Sequence, residues 1–148
     1  MKYGRLRTLR GQLSVSGGVA RKNIIVSDGL VNLGLKILSF QVWPAQNPTG
    51  ASAQLFTGIL SLDTISSGTD MNAADNRQFA WIYSSTLATA LIQNTRTIID
   101  PDHIVNRDLF LTMDNSTAGL YNYLIEAQVV ELSDDEAIIT IIKETSQS

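Results

Sequence analysis

The chain contains no cysteine, and its single histidine is His103. A disulfide framework, a thiolate metal site and a thiol nucleophile are therefore excluded, and a zinc ion would have to be held mostly by oxygen ligands, an unusual set for that metal. The missing cysteines leave the redox compartment open. No apolar run approaches the roughly 20 residues that span a bilayer. The opening stretch MKYGRLRTLRG carries charges with no apolar run behind them, so a soluble protein with no secretory signal and no membrane partner is expected. Also missing are a glycine-rich phosphate loop followed by lysine, a serine in a strained elbow and the spacing of an EF-hand. Neither an enzyme nor a bound cofactor or metal is expected. What is present is 148 residues, 44% of them hydrophobic, with ten glycines. That is the length of one domain, and a domain of this size buries about 70% of the surface its unfolded chain exposes.

The net charge of −3 hides a polarised distribution. Residues 1–27 hold six basic side chains, Lys2, Arg5, Arg7, Arg10, Arg21 and Lys22, and no acidic one; residues 28–148 hold five basic and fourteen acidic side chains. This predicts a basic N-terminal arm over residues 1–22 ahead of an acidic body. Arginine at every second or third position neutralises phosphates without reading sequence, so these six residues are the candidate nucleic-acid contacts. Such an arm would also be removable without loss of the fold.

Short segments rich in β-branched and aromatic residues recur between Gly, Asn, Asp and Ser clusters, the pattern of an all-β antiparallel sandwich over residues 23–132. The expected strands are Gln12–Ser16, Asn23–Ser27, Leu33–Trp43, Ala53–Leu62, Gln78–Tyr83, Leu87–Gln93, Thr97–Ile99, Ile104–Met113 and Leu120–Leu132. Ser16-Gly17-Gly18, Asp28-Gly29 and Asp114–Gly119 read as turns. Pro44 and Pro48 bracket a loop. Thr64–Asn76 has no strand pattern and reads as the longest loop. In the third segment Leu33, Leu35 and Ile37 share one phase, after which Leu38, Phe40 and Val42 take over, a shift that predicts a β-bulge. In the last segment Tyr121, Tyr123, Ile125, Ala127 and Val129 form a core face, and the intervening residues form a mixed one.

Residues 133–148 change character. Ser133-Asp134-Asp135-Glu136 fits a capping box, with acidic residues at the positive end of a helix dipole. Isoleucine and threonine favour a strand here by propensity, but the cap and charge signals agree with each other and predict a short C-terminal helix. Its stripe of Ala137, Ile138, Ile141 and Ile142 is expected to dock on the sheet or on a neighbouring subunit.

Titratable residues gather only at Asp100-Pro101-Asp102-His103. The group could pair a carboxylate with an imidazole or surround a hard cation, but aspartate before proline is common turn chemistry and a strand follows at once. Trp43 and Trp81, with Tyr83, Tyr121 and Tyr123, could form an aromatic platform for a sugar or a base; packing and subunit contacts are the simpler role for them. Trp43, Trp81, Ile138, Ile141 and Ile142 are the candidate interface residues. Asn115-Ser116-Thr117 matches a glycosylation acceptor, a pattern with little meaning without a secretory signal.

The segments GGVARKNIIVSDGL, IIDPDHIVNRDLFL, YNYLIEAQVVEL and SDDEAIITIIKETSQ resemble those of short β-rich structural proteins encoded by uncultured marine viruses and phages, the last fifty or so residues most closely. The resemblance implies a jelly-roll-like capsid subunit located in the virion, one that forms a homo-oligomeric shell with its basic arm toward the genome. The body is small for a shell protein and six charges make a short arm, which leaves room for an accessory virion subunit: a decoration, minor capsid or tail-associated protein. A β-sandwich module that binds a glycan or receptor through Trp43, Trp81 and the Thr64–Asn76 loop is the reading from a different class.

Overall fold

The last long strand explains the first sheet. In Gly119–Glu131 (β9) apolar side chains alternate with polar ones, so one face is committed to a core while both edges are open to partners. Lys2–Val15 (β1) takes one edge and Leu33–Pro44 (β3) takes the other, each antiparallel to β9 along nearly its whole length. The two-residue strand Ile104–Val105 (β7) adds to β3 opposite Leu35 and Lys36. The computed structural model of the chain describes residues 2–15, 18–24, 32–45, 54–65, 71–87, 92–115 and 119–145.

The second sheet contains Gly18–Ile24 (β2), Gln54–Ser61 (β4), Gln78–Leu87 (β5), Ile92–Ile99 (β6) and Leu109–Asn115 (β8). The sheet orders are β1-β9-β3-β7 and β2-β8-β4-β5-β6, with every pair antiparallel. The inner faces meet in one core, to which Phe40, Tyr121 and Ile125 contribute from the first sheet and Phe56, Ile82 and Leu111 from the second. Phe56 and Tyr121 touch across it, with ring centroids 5.1 Å apart. The molecule is therefore an all-β structure of two packed antiparallel sheets with one short helix.

The expected bulge in the third segment is present: the register of β3 against β9 slips between Ile37 and Ser39, which turns Leu38 outward while Phe40 and Val42 return to the core. Tyr121, Tyr123, Ile125 and Ala127 are buried as their alternation requires. Two strand boundaries are corrected. Of the expected strand Leu87–Gln93, Leu87 closes β5 and Ile92 and Gln93 open β6, while 88–91 lie outside the described residues. Ile104–Met113 divides into β7 and β8 around the irregular residues 106–108.

The N-terminal arm is also corrected. Residues 2–15 and 18–24 are strands, one at the edge of each sheet. Leu9, Leu13 and Val15 are buried and alternate with Thr8, Arg10, Gln12 and Ser14, which are exposed. That period of two signals a half-buried strand, and edge strands carry basic residues because charge discourages unwanted pairing.

The helix forms where the cap predicts, as α1 (Asp134–Thr145). The Ser133 Oγ accepts from the Glu136 amide and the Glu136 carboxylate accepts from the Ser133 amide, both at 3.2 Å. Asn32 adds a tie by donating its side-chain amide to Asp134 at 2.9 Å. Only Ala137 of the expected stripe is shown buried; it packs with Val130, Leu132 and Ile104 in a small second cluster. Ile138 and Ile142 are exposed rather than docked on the sheet. The side chain of Ile141 lies outside the described residues, as do the Asp28-Gly29 turn and Pro48.

Candidate functional site

The six basic residues fall into separate environments. Lys2, Arg5 and Arg10 are exposed along β1, and Arg7 is half buried opposite Ala127. On β2 the two neighbours point to opposite sides. Arg21 faces out of the second sheet, where its guanidinium donates through Nε, at 2.8 Å, and Nη2 to the carbonyl of Ile65. It thereby holds part of the long β4–β5 connection against the sheet. Lys22 turns to the other side, lies 5.8 Å from the centroid of the Tyr123 ring and donates to the Gln12 carbonyl at 3.2 Å. It bridges the edges of the two sheets. The basic residues left for a phosphate are thus Lys2, Arg5 and Arg10 on β1, with Lys2 opposite Glu131 and Arg10 opposite Leu124, positions of β9 that face opposite sides of the sheet.

At the other margin of the first sheet, β9 lies along β3 from Leu33 to Pro44, but β7 covers only Leu35 and Lys36. Among the described residues no strand pairs with the remaining side of Ile37–Trp43. That run, ILSFQVW, has no charge and no proline, and it exposes Leu38 and Trp43 at 44% and 42%. Unprotected apolar edges of this kind accept further strands. On α1, Ile138, Ile139 and Ile142 are all more than half exposed.

The aromatic residues do not form one platform. Trp43 faces out of the first sheet and Trp81 out of the second, so the body of the sandwich separates them. Tyr121 and Tyr123 belong to the core, where burial pushes both phenols above their ordinary pKa. Tyr83 is partly exposed on the same strand as Trp81.

At the Asp100–His103 turn, Asp100 Oδ1 accepts from the Asp102 amide at 3.0 Å, the expected turn chemistry. His103 is buried and stacks on Phe79, with ring centroids 4.7 Å apart and planes 11° from parallel. Among the described residues no three His, Asp or Glu side chains are arranged to hold a metal ion. No helix among them is long and apolar enough to cross a membrane. The β4–β5 connection carries an ion pair between Asp75 and Arg77 at 2.8 Å, and the Arg77 hydrogen bonds hold the Asp75 carboxyl below the usual carboxylate range. Sequence reasoning missed this pair, although Asp and Arg two residues apart in a turn-rich stretch are a visible signal. Comparison with family models, with curated proteins and with solved structures found no match to the chain.

Proposed function

We propose that the chain is a virion structural protein, a jelly-roll subunit that assembles with copies of itself into a shell around the genome. The observation that carries this reading is the nesting of the strand pairs: β1 with β9, β2 with β8, β3 with β7 and β4 with β5. Successive pairs fall alternately in the first and second sheets. A chain doubled back on itself and rolled in this way follows the jelly-roll pattern, which capsid proteins use, with β6 as an added edge strand. Lectins and cupins use it too, so the case for assembly rests on the surfaces.

Two surfaces support a second copy as the partner. The uncharged Ile37–Trp43 edge offers backbone pairing, and the exposed isoleucines of α1 offer an apolar contact that water solvates poorly. The exposed Lys2, Arg5 and Arg10 of β1 support a sequence-independent contact with nucleic acid. An accessory virion subunit, which would use the same sandwich and the same surfaces, is the variant of this reading.

Size-exclusion chromatography with light scattering on the full chain, with nucleic-acid absorbance followed across the peak, is the test. A species many times the mass of one chain that carries nucleic acid is expected for a shell subunit. A small, nucleic-acid-free oligomer would replace the shell with the accessory role. A monomer at every concentration and salt would overturn both.

A further inference from the structure

The turn at Asp100 and the indole of Trp81 meet in a cleft of about 320 Å³ on the outer side of the second sheet. The cleft arises because β5 and β6 are paired, which sets Ile98 opposite Trp81, while the Asp100 amide donates to the Phe79 carbonyl at 2.9 Å and keeps the turn beside the strand. Ala73, Asp75 and Asn76, from the connection before β5, close the other side. Its volume is at the low end for small-molecule sites, the size for a single small ring rather than an extended chain.

The indole is fixed before any ligand arrives. Trp81 Nε1 donates at 2.8 Å to Oε1 of Gln78, a buried residue whose same oxygen accepts from the Asn72 amide at 2.9 Å. The polar tip of the tryptophan is therefore already satisfied, and what it offers a ligand is the flat apolar face of the ring. Ile98 and Pro101 extend that apolar wall, and Asp75, Asn76 and Asp100 place oxygens around it. No lysine or arginine lines the cleft, and the guanidinium of nearby Arg77 is engaged by both Asp75 oxygens. The one basic ring in the lining, His103, is buried against Phe79, and a phosphate or carboxylate ligand would meet the like charges of Asp75 and Asp100.

We infer that this cleft binds a neutral sugar, with the C–H face of one pyranose ring stacked on Trp81 and its hydroxyls donating to the Asp100 carboxylate. A nucleobase would also stack on an indole, but it brings phosphates toward the carboxylates of Asp75 and Asp100, with no lysine or arginine in the lining to offset them. The inference does not depend on the assembly reading, because it is argued from the lining residues of the cleft alone.

The chain has two tryptophans, so the Trp43→Phe variant leaves Trp81 as the only indole emitter. Titrating that variant with methyl glycosides of neutral hexoses and N-acetylhexosamines, with glucuronic acid, and with a short single-stranded oligonucleotide tests the class of ligand. The expected result is a saturable change in emission with at least one neutral glycoside and none with glucuronic acid or the oligonucleotide. Asp100→Asn, which keeps the shape of the side chain, should weaken that binding about tenfold, the loss of one charge-assisted hydrogen bond. Ligand-observed saturation-transfer NMR should lose the glycoside signal in Trp81→Ala and keep it in Trp43→Ala, with both variants checked for folding by circular dichroism. If no neutral glycoside perturbs Trp81, or if the acidic sugar or the oligonucleotide perturbs its emission at as low a concentration, the proposal is overturned. Undiminished glycoside binding by a folded Trp81→Ala variant would overturn it as well.

Discussion

Gly11 and Tyr123 pair across β1 and β9, and the phenol ring occupies the space that a Cβ at Gly11 would need, since such an atom would lie 2.6 Å from the hydroxyl and 2.9 Å from Cζ. The glycine is there to admit the ring. Lys22 then stands over the same ring and fastens β2 to β1. Gly11→Ala should force a rigid, buried ring to move and cost about 1–3 kcal/mol, the range for overpacking. Urea unfolding monitored by circular dichroism checks this; an unchanged midpoint would show that Tyr123 has another place to go.

The basic strand separates charge from structure. Because residues 2–15 pair with β9 and bury Leu9, deleting residues 1–10 should unfold or severely destabilise the protein, contrary to what a free arm would allow. Charge replacement is the cleaner probe. Arg5→Gln with Arg10→Gln should leave the melting temperature nearly unchanged and lower the salt dependence of nucleic-acid binding, by roughly 0.9 in the log–log slope for each phosphate that is no longer neutralised. A slope that does not move would place nucleic acid away from β1.

The exposed edge of β3 makes assembly testable with one side chain. Leu38→Lys puts a charge at the outward-turned bulge, where natural edge strands use lysine to prevent pairing. The variant should stay folded and shift the mass distribution in light scattering toward the monomer. If it assembles as before, the subunits meet elsewhere, and Ile138→Lys on the helix becomes the informative change.

Ser133→Ala should destabilise the helix and its small cluster by about 1 kcal/mol, the usual cost of losing an N-cap. Loss of helical signal in the variant, with the β signal retained, would be the expected signature in circular dichroism.

Asp75 supplies a pH dependence of defined sign. Its folded-state pKa is depressed by Arg77, so its contribution to stability is fully present above the ordinary carboxylate range and is lost as pH falls through that range toward the folded value. Carboxyl-carbon NMR titration should give Asp75 a midpoint below that of a free aspartate, and Arg77→Gln should return it to the ordinary value.

Much of the sandwich is legible in the sequence because its signals are local. The alternation in β9, the phase shift at Leu38 and the cap at Ser133 each depend on residues within a few positions of one another, and the structure has all three. The end of β1 is legible, since Gln12–Ser16 reads as a strand, but the strand nature of residues 2–11 is not, because arginine and lysine hide the alternation that Leu9 shares with Leu13 and Val15, and the partner that rewards it lies more than a hundred residues away in β9. The Trp81 cleft is half legible. Trp81 and the Asp100 turn are each visible, but their proximity follows from the β5–β6 pairing, which is lost once Leu87–Gln93 is read as a separate strand. The isoleucines of α1 read as a docked stripe because periodicity reports which residues share a face and cannot report what that face meets.

The nested pairing also dictates an order of events. Of the described strands β1 is made before the others, yet its partner β9 is made after all of them, so Lys2 must wait for Glu131 and Leu13 for Tyr121. Among the described residues, the only strands that find neighbours close in sequence are β4, β5 and β6, which pair through consecutive hairpins. Folding is therefore expected to begin in the second sheet around β5 and to end with closure of the first, slowly, as distant pairings do. During that interval the uncharged Ile37–Trp43 run lacks even its β9 neighbour, so the same edge that suits assembly is the one most in need of protection while the chain is being made.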